Sequence, residues 1–134
     1  MSVLMDDNHT RSSTYRTTRA ADGSTVVTLC GELDLLVVPA LSAALDALTA
    51  VSRPDLVLDL RPVSFIDCSG LGVLCRAHRR IRSRHGRLRL VTSDRAFRRL
   101  LRCTRLSGVF EVYPGLAEAL ADRALVAEAA TSPL

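Results

Sequence analysis

The sequence predicts an α/β fold: a mixed sheet opened by an N-terminal hairpin and continued by alternating helices and strands, with about four helices packed mainly on one face. Three observations carry this expectation. Short β-rich runs alternate with stretches whose apolar residues recur every three or four positions. Ala21-Asp22-Gly23-Ser24 supplies hairpin-turn chemistry between the first two β-rich runs. The runs beginning at Leu56 and Arg87 alternate apolar with polar residues, the mark of a sheet with one well-covered face; a doubly wound parallel sheet would show near-continuous apolar strands.

Each element follows from local pattern. Thr14-Tyr15-Arg16-Thr17-Thr18 suits an edge strand, and Thr25 to Cys30 forms the second strand, ending at Gly31. From Pro39 to Val51, Leu41, Ala44, Leu45 and Leu48 mark an amphipathic helix with proline near its first turn, stopped by Arg53-Pro54-Asp55. Leu56-Val57-Leu58-Asp59-Leu60 is a strand with three leucines on one face and Asp59 on the other. A second helix is expected from Gly70 to about Arg84, with Leu71, Leu74, Cys75, His78 and Ile81 on one stripe and Gly86 as its stop. Arg87 to Val91 alternates as a strand with its arginines on the polar face. Thr92-Ser93-Asp94 offers capping oxygens to a third helix, where Phe97, Leu100, Leu101 and Thr104 share a face. Gly108 to Tyr113 is a short final strand, and Pro114-Gly115 turns into a last helix from Leu116.

The 134 residues make one domain with a single core. Residues 1–13 read as a disordered polar tail, 14–122 as the domain, and 123–134 as a frayed helix end and tail. No apolar run approaches the roughly 18 residues that span a bilayer, and the N-terminus lacks a signal-peptide core, so a cytoplasmic protein is expected. Cys30, Cys68, Cys75 and Cys103 form no Cys-x-x-Cys pair and have no histidine at ligand spacing; buried reduced thiols are expected, without metal or cofactor. All 18 basic residues are arginines, and twelve fall between Arg76 and Arg105. Phe97 is the one aromatic among them and lies on an apolar stripe, so solvated faces explain the run better than nucleic-acid binding.

The informative stretch is Phe65-Ile66-Asp67-Cys68-Ser69-Gly70-Leu71-Gly72. An apolar strand leads through Arg61-Pro62-Val63 to one hydroxyl, followed at once by glycine and a helical pattern. Ser69 is therefore expected at the mouth of a helix, where unpaired N–H groups and the positive end of the dipole favour anions. That seat suits a phosphoserine; a hydrolytic nucleophile would need a base, and none is evident. Together with Gly31-Glu32-Leu33-Asp34 and Val57-Leu58-Asp59-Leu60, the stretch resembles the signature sequences of the STAS domain. More narrowly, it resembles those of the bacterial anti-sigma factor antagonists. The similarity runs from about Thr14 to Ala121.

The resemblance implies a STAS-type fold and a switch rather than an enzyme. In that family an anti-sigma factor, itself a serine kinase of the histidine-kinase-like ATPase type, holds a sigma factor inactive. The unphosphorylated antagonist binds the anti-sigma factor and frees the sigma factor. Phosphorylation by the kinase ends this, and a metal-dependent Ser/Thr phosphatase restores it. By the same resemblance Ser69 is the phosphoacceptor, and Asp34, Asp67, Cys68, Ser69, Gly70, Leu71 and Gly72 are expected at the partner surface. A phosphate adds about −1.5 to −2 charge, which would repel and desolvate poorly at a docked interface.

Several features stay open at this level. Family members commonly carry serine or threonine where Cys68 stands, and a small buried filler is the expectation for that thiol. Leu35-Leu36-Val37-Val38 is greasier than a solvated loop should be, and suits either a partner-facing surface or core. The alternative function is a STAS module outside kinase control, acting as a scaffold or a small-ligand or nucleotide sensor. No membrane contact or direct nucleic-acid binding is expected, and the chain should be a monomer or weak dimer. A hydrolase or P-loop NTPase fails on residues: there is no Gly-x-Ser-x-Gly, no phosphate-binding Gly-Lys loop, and no lysine.

Overall fold

The computed structural model describes residues 15–121. The terminal tails expected at 1–13 and 123–134 lie outside the described residues. Five strands form the main sheet: β1 (Tyr15–Arg19), β2 (Thr25–Leu29), β4 (Asp55–Asp59), β6 (Arg87–Val91) and β7 (Glu111–Tyr113), side by side in that order. β1 runs antiparallel to β2 through the expected hairpin, and the other pairings are parallel. A separate pair is made by β3 (Gly31–Leu33) and β5 (Val63–Ile66), also parallel.

Strand alternation sorts the side chains onto two faces. Val27, Leu29, Leu56, Leu58, Leu88 and Leu90 point to the side covered by α1 (Val38–Leu48), α2 (Cys68–Ser83) and α3 (Arg95–Cys103). Those helices answer with Leu41 and Leu45, with Leu71, Leu74 and Ile81, and with Phe97 and Leu101. Val26, Val57 and Val91 point the other way, where Ala119 of a helix over 116–121 meets them. Three helices on one face and a fourth on the other match the fold expected from sequence.

One strand departs from expectation. Arg89 lies on the presumed polar face of β6, yet its side chain is fully buried. The terminal helix covers it, and its guanidinium donates to the Ala119 carbonyl at 2.6 Å and to Asp55 at 2.8 Å. Period-two patterning identifies which way a side chain points; it does not say what later arrives to cover it.

Candidate switch site

β3 and β5 build the site. They lie side by side with Leu33 beside Ile66, and the Asp67 N–H donates to the Leu33 carbonyl at 3.3 Å. The chain thus brings Asp34, just after β3, to the same end as Asp67, just after β5. Periodicity does not find strands of three and four residues. The apolar, β-prone run Val63-Ser64-Phe65-Ile66 is the local signal that marks one of them.

Asp67 is the N-cap of α2, and the helix begins at Cys68, two residues before the expected start at Gly70. Its Oδ1 accepts from the backbone N–H groups of Ser69 at 2.9 Å and Gly70 at 3.0 Å, and from the Ser69 hydroxyl at 2.6 Å. Ser69 is therefore a first-turn residue and not the cap. It is half-buried, so its Oγ is neither sealed in the core nor freely rotating. The Ser69 hydroxyl and then the two N–H groups hold the Asp67 carboxyl below its ordinary pKa, because all three stabilise the ionised form.

Gly70 explains why the helix can start here. A Cβ at this position would collide with the Leu33 carbonyl oxygen and stand 2.9 Å from Ile66 Cγ1. The first turn of α2 rests directly on β3 and β5, and only glycine permits that approach. Leu71, expected at the partner surface with its neighbours, is instead 5% exposed and part of the core. Gly70 is likewise buried, so both residues contribute position rather than contact surface. Gly72 and Cys68 are exposed. The expectation that Cys68 is a buried filler is thus corrected: as the first helical residue it points off the apolar stripe. Cys103 is exposed too, while Cys30 and Cys75 are half-buried.

Asp34 turns its own carboxylate onto the chain ahead of α1. The Leu36 N–H donates to Asp34 Oδ1 at 3.1 Å, and the Val37 N–H to the Asp34 carbonyl at 3.1 Å. This turn splits the greasy stretch in two. Val37 and Val38 pack against the core, whereas Leu35 and Leu36 stand 71% and 88% exposed. Phe65, on neighbouring β5, is 52% exposed. Beside it a cavity of about 270 Å³ opens between β5 and α3, lined by Ile66, Phe97 and Leu100 among others, with Ser64, Thr92 and Asp94 supplying polar atoms. Its apolar lining was not foreseen from sequence, since Phe97 and Leu100 read simply as core.

Among the described residues the printed hydrogen bonds give the Ser69 hydroxyl one side-chain partner, the Asp67 carboxylate. Such a site offers a hydroxyl to an incoming enzyme, close to exposed apolar side chains.

Comparison with known proteins agrees with this geometry. The model of the STAS domain family matches residues 15–119. The anti-sigma-B factor antagonist of Listeria monocytogenes is 36% identical over 85 residues, covering 63% of this chain and 74% of its own. The crystal structure of an anti-sigma factor antagonist from Mycobacterium paratuberculosis is 35% identical and superposes with a TM-score of 0.70, covering 81% of this chain and 92% of that one. SpoIIAA of Bacillus in its phosphorylated form shares the fold at 24% identity, with a TM-score of 0.64 over 82% of this chain and 98% of that one.

Proposed function

The chain belongs to the STAS domain family, and we propose that within it the protein acts as an anti-sigma factor antagonist switched at Ser69. Unphosphorylated, it binds an anti-sigma factor that is also a serine kinase, and so releases a sigma factor. Phosphorylation of Ser69 by that kinase ends the complex, and a metal-dependent phosphatase reopens the cycle. The protein performs no catalysis of its own in this reading and acts in the cytoplasm.

The observation that carries the proposal is the half-buried Ser69 hydroxyl in the first turn of α2, oriented by Asp67 and flanked by a glycine that clears its approach. The names of the two antagonists about 35% identical to this chain support it, as does the existence of a fold relative in phosphorylated form. A phosphate here would stand beside the Asp67 carboxylate and near exposed leucines, so a partner surface that accepts the neutral hydroxyl would reject the dianion. The switch needs no change of fold.

Incubation with ATP and purified histidine-kinase-like anti-sigma kinases, followed by phosphosite mapping, tests the reading. One phosphate on Ser69, persistent capture of the kinase by Ser69→Ala, and poor capture by Ser69→Asp are expected. Absence of phosphate on Ser69 with every such kinase would overturn kinase control and favour a ligand-sensing or scaffolding STAS module.

A further inference from the structure

We propose that the anti-sigma partner docks by burying Leu35, Leu36 and Phe65 and by seating an apolar side chain in the cavity between β5 and α3, under a rim of its own cationic residues. This rests on the function proposed above and deepens it by naming where, and to what chemistry, the antagonist binds.

The apolar face comes first. Of the five large hydrophobic residues exposed among the described residues, three, Leu35, Leu36 and Phe65, lie at the end of the molecule that carries Ser69. Phe65 pairs across the small sheet with Glu32, and Leu35 and Leu36 follow β3 immediately. Ile66 joins the two features: it lines the cavity beside Phe65, and its side chain abuts Gly70 at the start of α2. Large aromatic and aliphatic side chains beside a receptive pocket are what concentrates binding energy at an interface.

The charge distribution says what the partner must carry. Elsewhere in the described chain carboxylates are matched with arginines: Asp46 with Arg76 and Arg80, Asp55 with Arg89, Asp59 with Arg61, and Glu111 with Arg87. Glu32, Asp34, Asp67 and Asp94 have no arginine within ion-pair distance among the described residues, although the chain holds 18 arginines. Segments 31–37 and 62–75 contain none at all. Glu32 and Asp94 are exposed, and Asp94 borders the cavity. An apolar centre with an anionic rim is complementary to an apolar projection ringed by lysine or arginine. Rim cations would meet Glu32 and Asp94, while Ser69 would lie in the desolvated part of the contact, where a phosphate is least tolerable.

The test uses a purified anti-sigma kinase that binds the wild-type chain, with affinity and association rate measured for full-length variants. Leu36→Glu and Phe65→Ser alter exposed side chains and should melt like wild type while weakening binding by about tenfold or more. Ala96→Trp, which plugs the cavity, should weaken it by about tenfold. Glu32→Lys should slow association and reduce its dependence on ionic strength. Val51→Glu, an equally exposed apolar residue in the segment between α1 and β4, should bind as wild type. Normal binding by both Leu36→Glu and Phe65→Ser, with Ser69→Asp still failing, would overturn the docking face and leave the Ser69 switch standing. Failure of every anti-sigma kinase to bind the wild-type chain would overturn both.

Discussion

The Ser69 hydroxyl and the Asp67 carboxylate are joined by a 2.6 Å hydrogen bond, and the same Asp67 oxygen caps α2 through the Ser69 and Gly70 N–H groups. One oxygen therefore serves both the helix and the acceptor hydroxyl. Phosphorylation removes the hydroxyl proton and sets a dianion against that carboxylate, while the phosphate competes for the same N–H groups. Phosphorylated protein should show Asp67 displaced from its cap. The expected readout is a chemical-shift change centred on Asp67, Ser69 and Gly70 with the rest of the amide spectrum unmoved; a spectrum perturbed throughout the sheet would contradict a local switch.

Replacing Asp67 separates its two roles. Asp67→Ala should cost about 1 kcal/mol through the lost cap, whereas Asp67→Asn keeps a capping oxygen and should cost less than half of that. Denaturant midpoints measure the difference. If both variants are as stable as wild type, the cap geometry contributes nothing.

Gly70→Ala puts a methyl group into the Leu33 carbonyl, which is backbone and cannot rotate away. A loss of about 1–3 kcal/mol is expected, with β3 displaced. Gly72→Ala, with nothing within 4 Å, is the internal comparison and should be neutral or slightly stabilising because alanine is the better helix former. Thermal melts of the two variants should differ in sign or nearly so.

His78 sets a pH dependence. Its ring packs edge-on against Phe110 with centroids 5.4 Å apart, and burial, followed by the nearby Arg82 and Arg79 charges, pushes its pKa down. The unfolded chain then takes up the proton first. The stabilisation is complete above the ordinary histidine pKa of about 6.5 and is lost as pH falls through the lower folded value. His78→Phe keeps the ring contact and should flatten the stability profile just below that pH. An unchanged profile would assign the dependence to other groups.

Arg89 ties the terminal helix to the sheet. Arg89→Met removes the bond to the Ala119 carbonyl and leaves Asp55 without its partner. A cost of about 3 kcal/mol is expected, typical of breaking a buried ion pair from one side. Hydrogen exchange over residues 116–121 should speed up more than over α1, which lies on the opposite face.

Local chemistry determined much of this molecule. The alternation of Leu56, Leu58 and Leu60, the three-and-four spacing of Leu41, Leu45 and Leu48, and the capping oxygen of Asp94 each act over a few residues, so each is legible in order along the chain. The presence of a hydroxyl at a helix mouth was legible for the same reason. Tertiary contact decided the rest. That the cap is Asp67 and not Ser69 depends on where β5 ends, and β5 exists because three residues of β3 lie beside it. That Arg89 is buried depends on a helix some thirty residues later in the chain. That Leu36 faces solvent while Val38 faces the core depends on one turn at Asp34. These are long-range pairings, and no residue carries in its own neighbourhood the information about what will come to lie against it.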